Sequence, residues 1–93
     1  MDDARLKQRV QKIAESVKNV RFEDLCTLLD NHIRPFCEVR GLSYNHRNSS
    51  GSHHAFTVGT KTFNVVKPHP SSLVKRPYVE SFLDAMEHIN LYE

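Results

Sequence analysis

The sequence predicts an α+β fold, a three-stranded antiparallel sheet with helices on one face. Apolar residues recur at helical spacing in the first third of the chain and again beyond residue 76. Between these stretches, "HAFTV" and "KTFNVVK" alternate like strands and are joined only by Gly59-Thr60. The 93 residues fit a single domain, near the smallest size at which a core holds without cross-links.

Leu6, Val10, Ile13 and Val17 place a short amphipathic helix over 3–17. A second, more apolar stripe runs through Phe22, Leu25, Leu28, Leu29 and Ile33, with Glu23 and Asp24 where a helix N-terminus favours acids. Pro35 disfavours helical geometry at Arg34, which predicts an end to this helix at 31–33. "PFCEVRG" is compatible with one more helical turn or with an extended linker. "LSYNHR" sets Leu42, Tyr44 and His46 against Ser43, Asn45 and Arg47 as a strand would, and "NSSG" reads as a loop.

Gly-X suits a two-residue hairpin turn, and it fixes a register. Phe56 then faces Phe63 and His54 faces Val65, while His53 faces Val66 on the other parity. Burying the two phenylalanines puts His53 on the polar face and His54 at the edge of the core face. After a proline-punctuated "KPHPSS" loop, Pro77 opens a last helix carrying Val79, Phe82, Leu83, Met86 and Ile89. Arg76 stands where a capping side chain would help.

Charge is distributed unevenly. Residues 1–30 balance six basic against six acidic side chains; 31–77 hold seven basic residues and one acid, Glu38. Residues 78–93 carry four acids and no Lys or Arg. A middle segment so basic attracts phosphate or forms a solvated face. The charged N-terminus is unlike a signal peptide and no apolar run is long enough for a membrane span. Cys26 and Cys37 form no CxxC motif and read as free thiols, so the expected location is the cytoplasm.

His46, His53, His54 and His69 are the chemical candidates, and three readings compete. Zinc binding lacks the usual ligand spacing and any acid close in sequence. General acid–base work at phosphate suits an imidazole beside Lys or Arg. The lack of carboxylates over 39–79 argues against two-metal cleavage and fits metal-independent cleavage of RNA through its own 2′-hydroxyl. Plain nucleic-acid binding by a basic sheet is the third reading, weakened by the burial expected for Phe56 and Phe63.

"GSHHAF", followed by a hairpin, "VVKPHP" and a terminal amphipathic helix, resembles the HicA family of toxins from bacterial toxin–antitoxin systems. "NVRFEDLCTLLDN" and "KRPYVESFLDAMEHINLYE" extend the resemblance over about residues 18–93. It implies an α-β-β-β-α unit like a double-stranded-RNA-binding domain, here residues 20–93, with 1–19 as an added N-terminal helix. It also implies an mRNA interferase, an endoribonuclease with no cofactor, neutralised by a HicB-like antitoxin. The catalytic histidine carries over to His53 or His54, presented by Gly51 and Ser52, and parity favours His53. Arg47, Lys61, Lys67, His69, Lys75 and Arg76 are the expected RNA-binding residues, forming a rim on the open sheet face. Two departures stand out: "HIRPFCEVRG" lengthens the connection to the first strand, with Gly41 in the family glycine's place and Leu42 for its aromatic residue, and "NSS" lengthens the approach to Gly51. The rival to catalysis is therefore a non-catalytic nucleic-acid-binding or partner-binding domain of the same fold.

Overall fold

Asp2 starts the first helix, its carboxylate accepting the Arg5 backbone N–H at 2.9 Å. The computed structural model describes residues 2–93. Helix α1 (Asp3–Glu15) buries Leu6 and Val10 in the domain's one hydrophobic core, so the N-terminal segment is packed into the domain. Arg40 ties its start to the body of the protein, with a 2.6 Å ion pair to Asp3 and its guanidinium 3.6 Å from the centroid of the Phe36 ring.

The second helical region departs from expectation. It does not stop before Pro35: α2 (Phe22–Leu28) passes through a π-helical turn (Leu29–Ile33) into α3 (Arg34–Val39). In the π turn the Arg34 N–H reaches back five residues to the Leu29 carbonyl. That wider turn accommodates a proline whose ring clashes with the preceding turn of a regular helix. "PFCEV" is thus helical, and it ends at Gly41, which has φ of +67°. Gly41 N–H bonds to the Glu38 carbonyl and Leu42 N–H to that of Cys37, a Schellman cap that uses a left-handed residue. Nothing lies within 4 Å of a Cβ at this position, so Gly41→Ala meets only the backbone penalty. Its expected cost is about 1 kcal/mol, read as a Tm lower by roughly 4–8 °C in thermal melts.

The sheet has the order β1-β2-β3 and is antiparallel throughout. Strand β1 (Tyr44–Ser50) starts two residues later than expected and takes in "NSS", so this segment is strand rather than loop. A bulge between Asn48 and Ser50 absorbs the extra residue. Strands β2 (His53–Val58) and β3 (Lys61–Val66) pair in the register that the Gly59-Thr60 turn dictates, with Phe56 opposite Phe63 and His53 opposite Val66. His88 clamps that turn, its Nε2 lying 2.9 Å from Thr60 Oγ1.

Helix α4 (Arg76–His88) begins one residue before Pro77, and Lys75 at its N-cap offers no side-chain bond. Its apolar stripe covers β3, with Phe82 edge-on to Phe63. Asn90 in left-handed geometry ends it, as Leu91 N–H bonds to the Met86 carbonyl. The helices cover one sheet face. The other presents Asn45, Arg47, His53, Thr62 and Asn64 to solvent. No helix is long and apolar enough to cross a membrane.

Candidate active site

The β1–β2 register builds the site. His46 pairs with Phe56 and stacks on its ring, centroids 4.1 Å apart, on the face turned toward the helices. His54 lies two residues from Phe56 on that same face, so the two imidazoles meet diagonally. His46 Nε2 and His54 Nδ1 are 2.8 Å apart.

The other nitrogen of His46 meets Asp30, in the π turn. Nδ1 is 2.9 Å from Oδ2 and 3.1 Å from Oδ1. Tyr44 OH donates to Oδ1 at 2.9 Å, and Arg34 stands 3.7 Å from the same oxygen. Asp30, His46 and His54 therefore form one hydrogen-bonded chain running from a helix to the sheet edge. Side-chain exposures of 30% for Asp30 and 19% for His46 keep much of it out of water.

The chain has a direction. A carboxylate only accepts, so His46 donates from Nδ1 and, in its neutral form, presents a lone pair at Nε2. His54 must then donate from Nδ1, which leaves its own lone pair on Nε2. That nitrogen makes no hydrogen bond to another described group. A proton arriving there creates an imidazolium whose charge is stabilised through His46 by Asp30. The His54 pKa is lowered, first by burial; protonation of His46 and the charge of Lys67 act in the same direction, and Asp30 in the opposite one. The ring is thus held in its basic, unprotonated form near neutrality.

Aromatic and basic groups complete the surroundings. Phe22 sits edge-on to His54, ring centroids 5.0 Å apart, and the Lys67 ammonium lies 5.9 Å from the centroid of the Phe22 ring. Lys67 N–H also donates to the Ser52 carbonyl at 2.7 Å, pinning the Gly51-Ser52 turn that precedes the histidines. Gly51 has φ of +53° there. Cys26, half-buried one turn before Asp30, has its thiol pushed up to about 12 by burial and by the charges of Asp30 and Glu23. These surroundings favour its neutral thiol form.

The expected site residues do not gather on one face. His53 shares the open face with Arg47, whereas Lys67, just past β3, lies over the Phe22 ring that packs against His54. Lys61 is at the far end of the hairpin, five residues or about 16 Å along β3 from Val66. Arg76 is paired with Glu80 at 3.0 Å. Among the described residues, the side chains of His53, Lys61, His69 and Lys75 make no hydrogen bond or ion pair. A rim around His53 is therefore not what the sheet presents.

Asp30, Tyr44 and Phe22 were not legible as site residues. The acid missing from the neighbourhood of the histidines in sequence is supplied by a helix. The available signal was His46, whose strand parity turns an imidazole toward the core, where it needs a partner. Among the described residues no three His, Cys, Asp or Glu side chains are grouped to hold a metal ion. Both His46 nitrogens are instead engaged in the chain. Comparison with protein-family models, curated proteins and solved structures finds no match, so the reading of this site rests on its own geometry.

Proposed function

We propose that the protein is a metal-independent endoribonuclease whose general base is His54 Nε2. The observation that carries this reading is the Asp30–His46–His54 chain, which fixes the tautomer and leaves one basic nitrogen facing outward. In the proposed reaction that nitrogen takes the proton of an RNA 2′-hydroxyl. The O2′–P bond forms, the P–O5′ bond breaks, and water protonates the departing 5′-oxygen. Lys67 stabilises the negative charge that grows on the phosphoryl oxygens. The products are a 2′,3′-cyclic phosphate, or the 3′-phosphate from its hydrolysis, and a 5′-hydroxyl.

The resemblance to HicA toxins adds to this reading. The strand-mouth "GSHH" element lies beside the chain, and helix, three strands and helix follow the order of a double-stranded-RNA-binding-like unit, with α1 added. On this reading mRNA is the substrate and a HicB-like antitoxin is the inhibitor, most simply by covering the His54 edge. Purified protein should cleave RNA in the presence of EDTA and leave cyclic or 3′-phosphate ends, read by end-labelling. Loss of cleavage on chelation, with recovery on adding zinc or magnesium, would overturn the metal-free mechanism. Binding of RNA without any cleavage would favour the non-catalytic alternative.

A further inference from the structure

We infer that one face of helix α1, continuing into the groove between α1 and α2, is a track for the phosphate backbone of RNA leading to the His54 edge. Arg5, Arg9 and Lys12 fall at i, i+4 and i+7, one stripe on a helix, and all three are exposed. Among the described residues none of them forms an ion pair, and neither does Arg21. The helix keeps its acids elsewhere: Asp2 caps the N-terminus, Asp3 pairs with Arg40, and Glu15 bonds to Gln11. The balanced charge of residues 1–30 thus includes a basic stripe on α1 whose own helix acids are engaged elsewhere, while Glu23 and Asp24 lie in the first turn of α2.

The stripe leads somewhere. Arg9 and Lys12 also form one wall of a groove of about 230 Å³, which Asn19 and Arg21 extend with hydrogen-bond donors. Asp24 is the single acid lining it. Arg21 immediately precedes Phe22, the ring that lies against His54. Successive cations one helical turn apart suit a run of phosphates, and a backbone contact of this kind positions a strand without reading its bases. The choice of RNA as occupant rests on the nuclease reading, while the track itself rests on the unpaired stripe and the groove.

The test uses the full chain and a 2′-O-methyl oligonucleotide, which binds but has no hydroxyl to attack. For Arg5→Glu/Arg9→Glu/Lys12→Glu, the plot of log affinity against log salt should be shallower by about 2, at about 0.7 for each single-strand phosphate that is no longer neutralised. Arg9→Glu alone should flatten it by about 0.7. Lys7→Glu, the same charge change on another side of α1, should leave the slope at the wild-type value. An unchanged slope in the triple variant, or an equal change in Lys7→Glu, overturns the track and leaves the stripe to some other partner. Cleavage of a dinucleotide, which offers a single phosphodiester and no run of phosphates, separates the two ideas. Persistent dinucleotide cleavage with an unchanged slope sinks the track alone, whereas the predicted slope change with no cleavage of a full-length RNA by the wild type sinks the nuclease alone.

Discussion

His54→Asn should lose RNA cleavage by about 10²–10⁴-fold, the usual contribution of a general base, while His53→Ala should cleave close to the wild-type rate. Asparagine is the informative replacement because its amide can keep a donor near the position of imidazole Nδ1. The bond to His46 Nε2 and the packing against Phe22 can then persist while the outward lone pair is removed. His53 projects from the opposite sheet face, and among the described residues its side chain has no partner to fix its orientation. Adjacent histidines in one strand point in opposite directions, so one cannot substitute for the other without a shift of register. Single-turnover cleavage of a labelled RNA, with circular dichroism to check folding, decides between them. Equal loss in both variants would mean that the two faces act together, and loss only in His53→Ala would move the base to the open face.

Asp30→Asn has the second large effect expected, and its signature lies in the pH profile. The Asp30 charge favours protonated His54, so its removal lowers the His54 pKa further. In the wild type, cleavage should rise with pH through a value below the ordinary imidazole pKa of about 6.5 and then level off. In Asp30→Asn the rising limb should move to lower pH, while the plateau falls because the imidazolium formed during reaction has lost its distant counter-charge. A lower plateau together with an acid-shifted limb is not what loosened packing alone would give. An unmoved limb would reduce Asp30 to a structural anchor for Tyr44 and His46.

The strand pairing of the second hairpin could be read from residues alone because Gly59-Thr60 leaves little choice of turn and Phe56 and Phe63 leave only one face to bury. The same parity separated His53 from His54. It also favoured His53 as the base, whereas we assign that role to His54, because the choice depends on Asp30, brought in from a helix by tertiary packing. Local rules also misplaced the end of that helix. Pro35 signals a break, but the π turn at Leu29–Ile33 accommodates the proline, and the effective stop is Gly41. "NSS" read as a loop because Asn and Ser are common in turns, yet pairing with β2 and a bulge hold it in the sheet. Charge counted along the sequence pointed to the middle third, whereas the folded helix α1 assembles its own stripe from residues whose segment sums to zero.

The direction of the hydrogen-bonded chain is the claim on which the chemistry depends, and imidazole nitrogen NMR reads it without knowledge of any substrate. In ¹⁵N-labelled protein at neutral pH, His46 and His54 should each carry their proton on Nδ1, with a bare Nε2 on His54. If His54 carries its proton on Nε2, its Nδ1 accepts from His46 and the outward nitrogen has no lone pair to offer. That result would contradict the account.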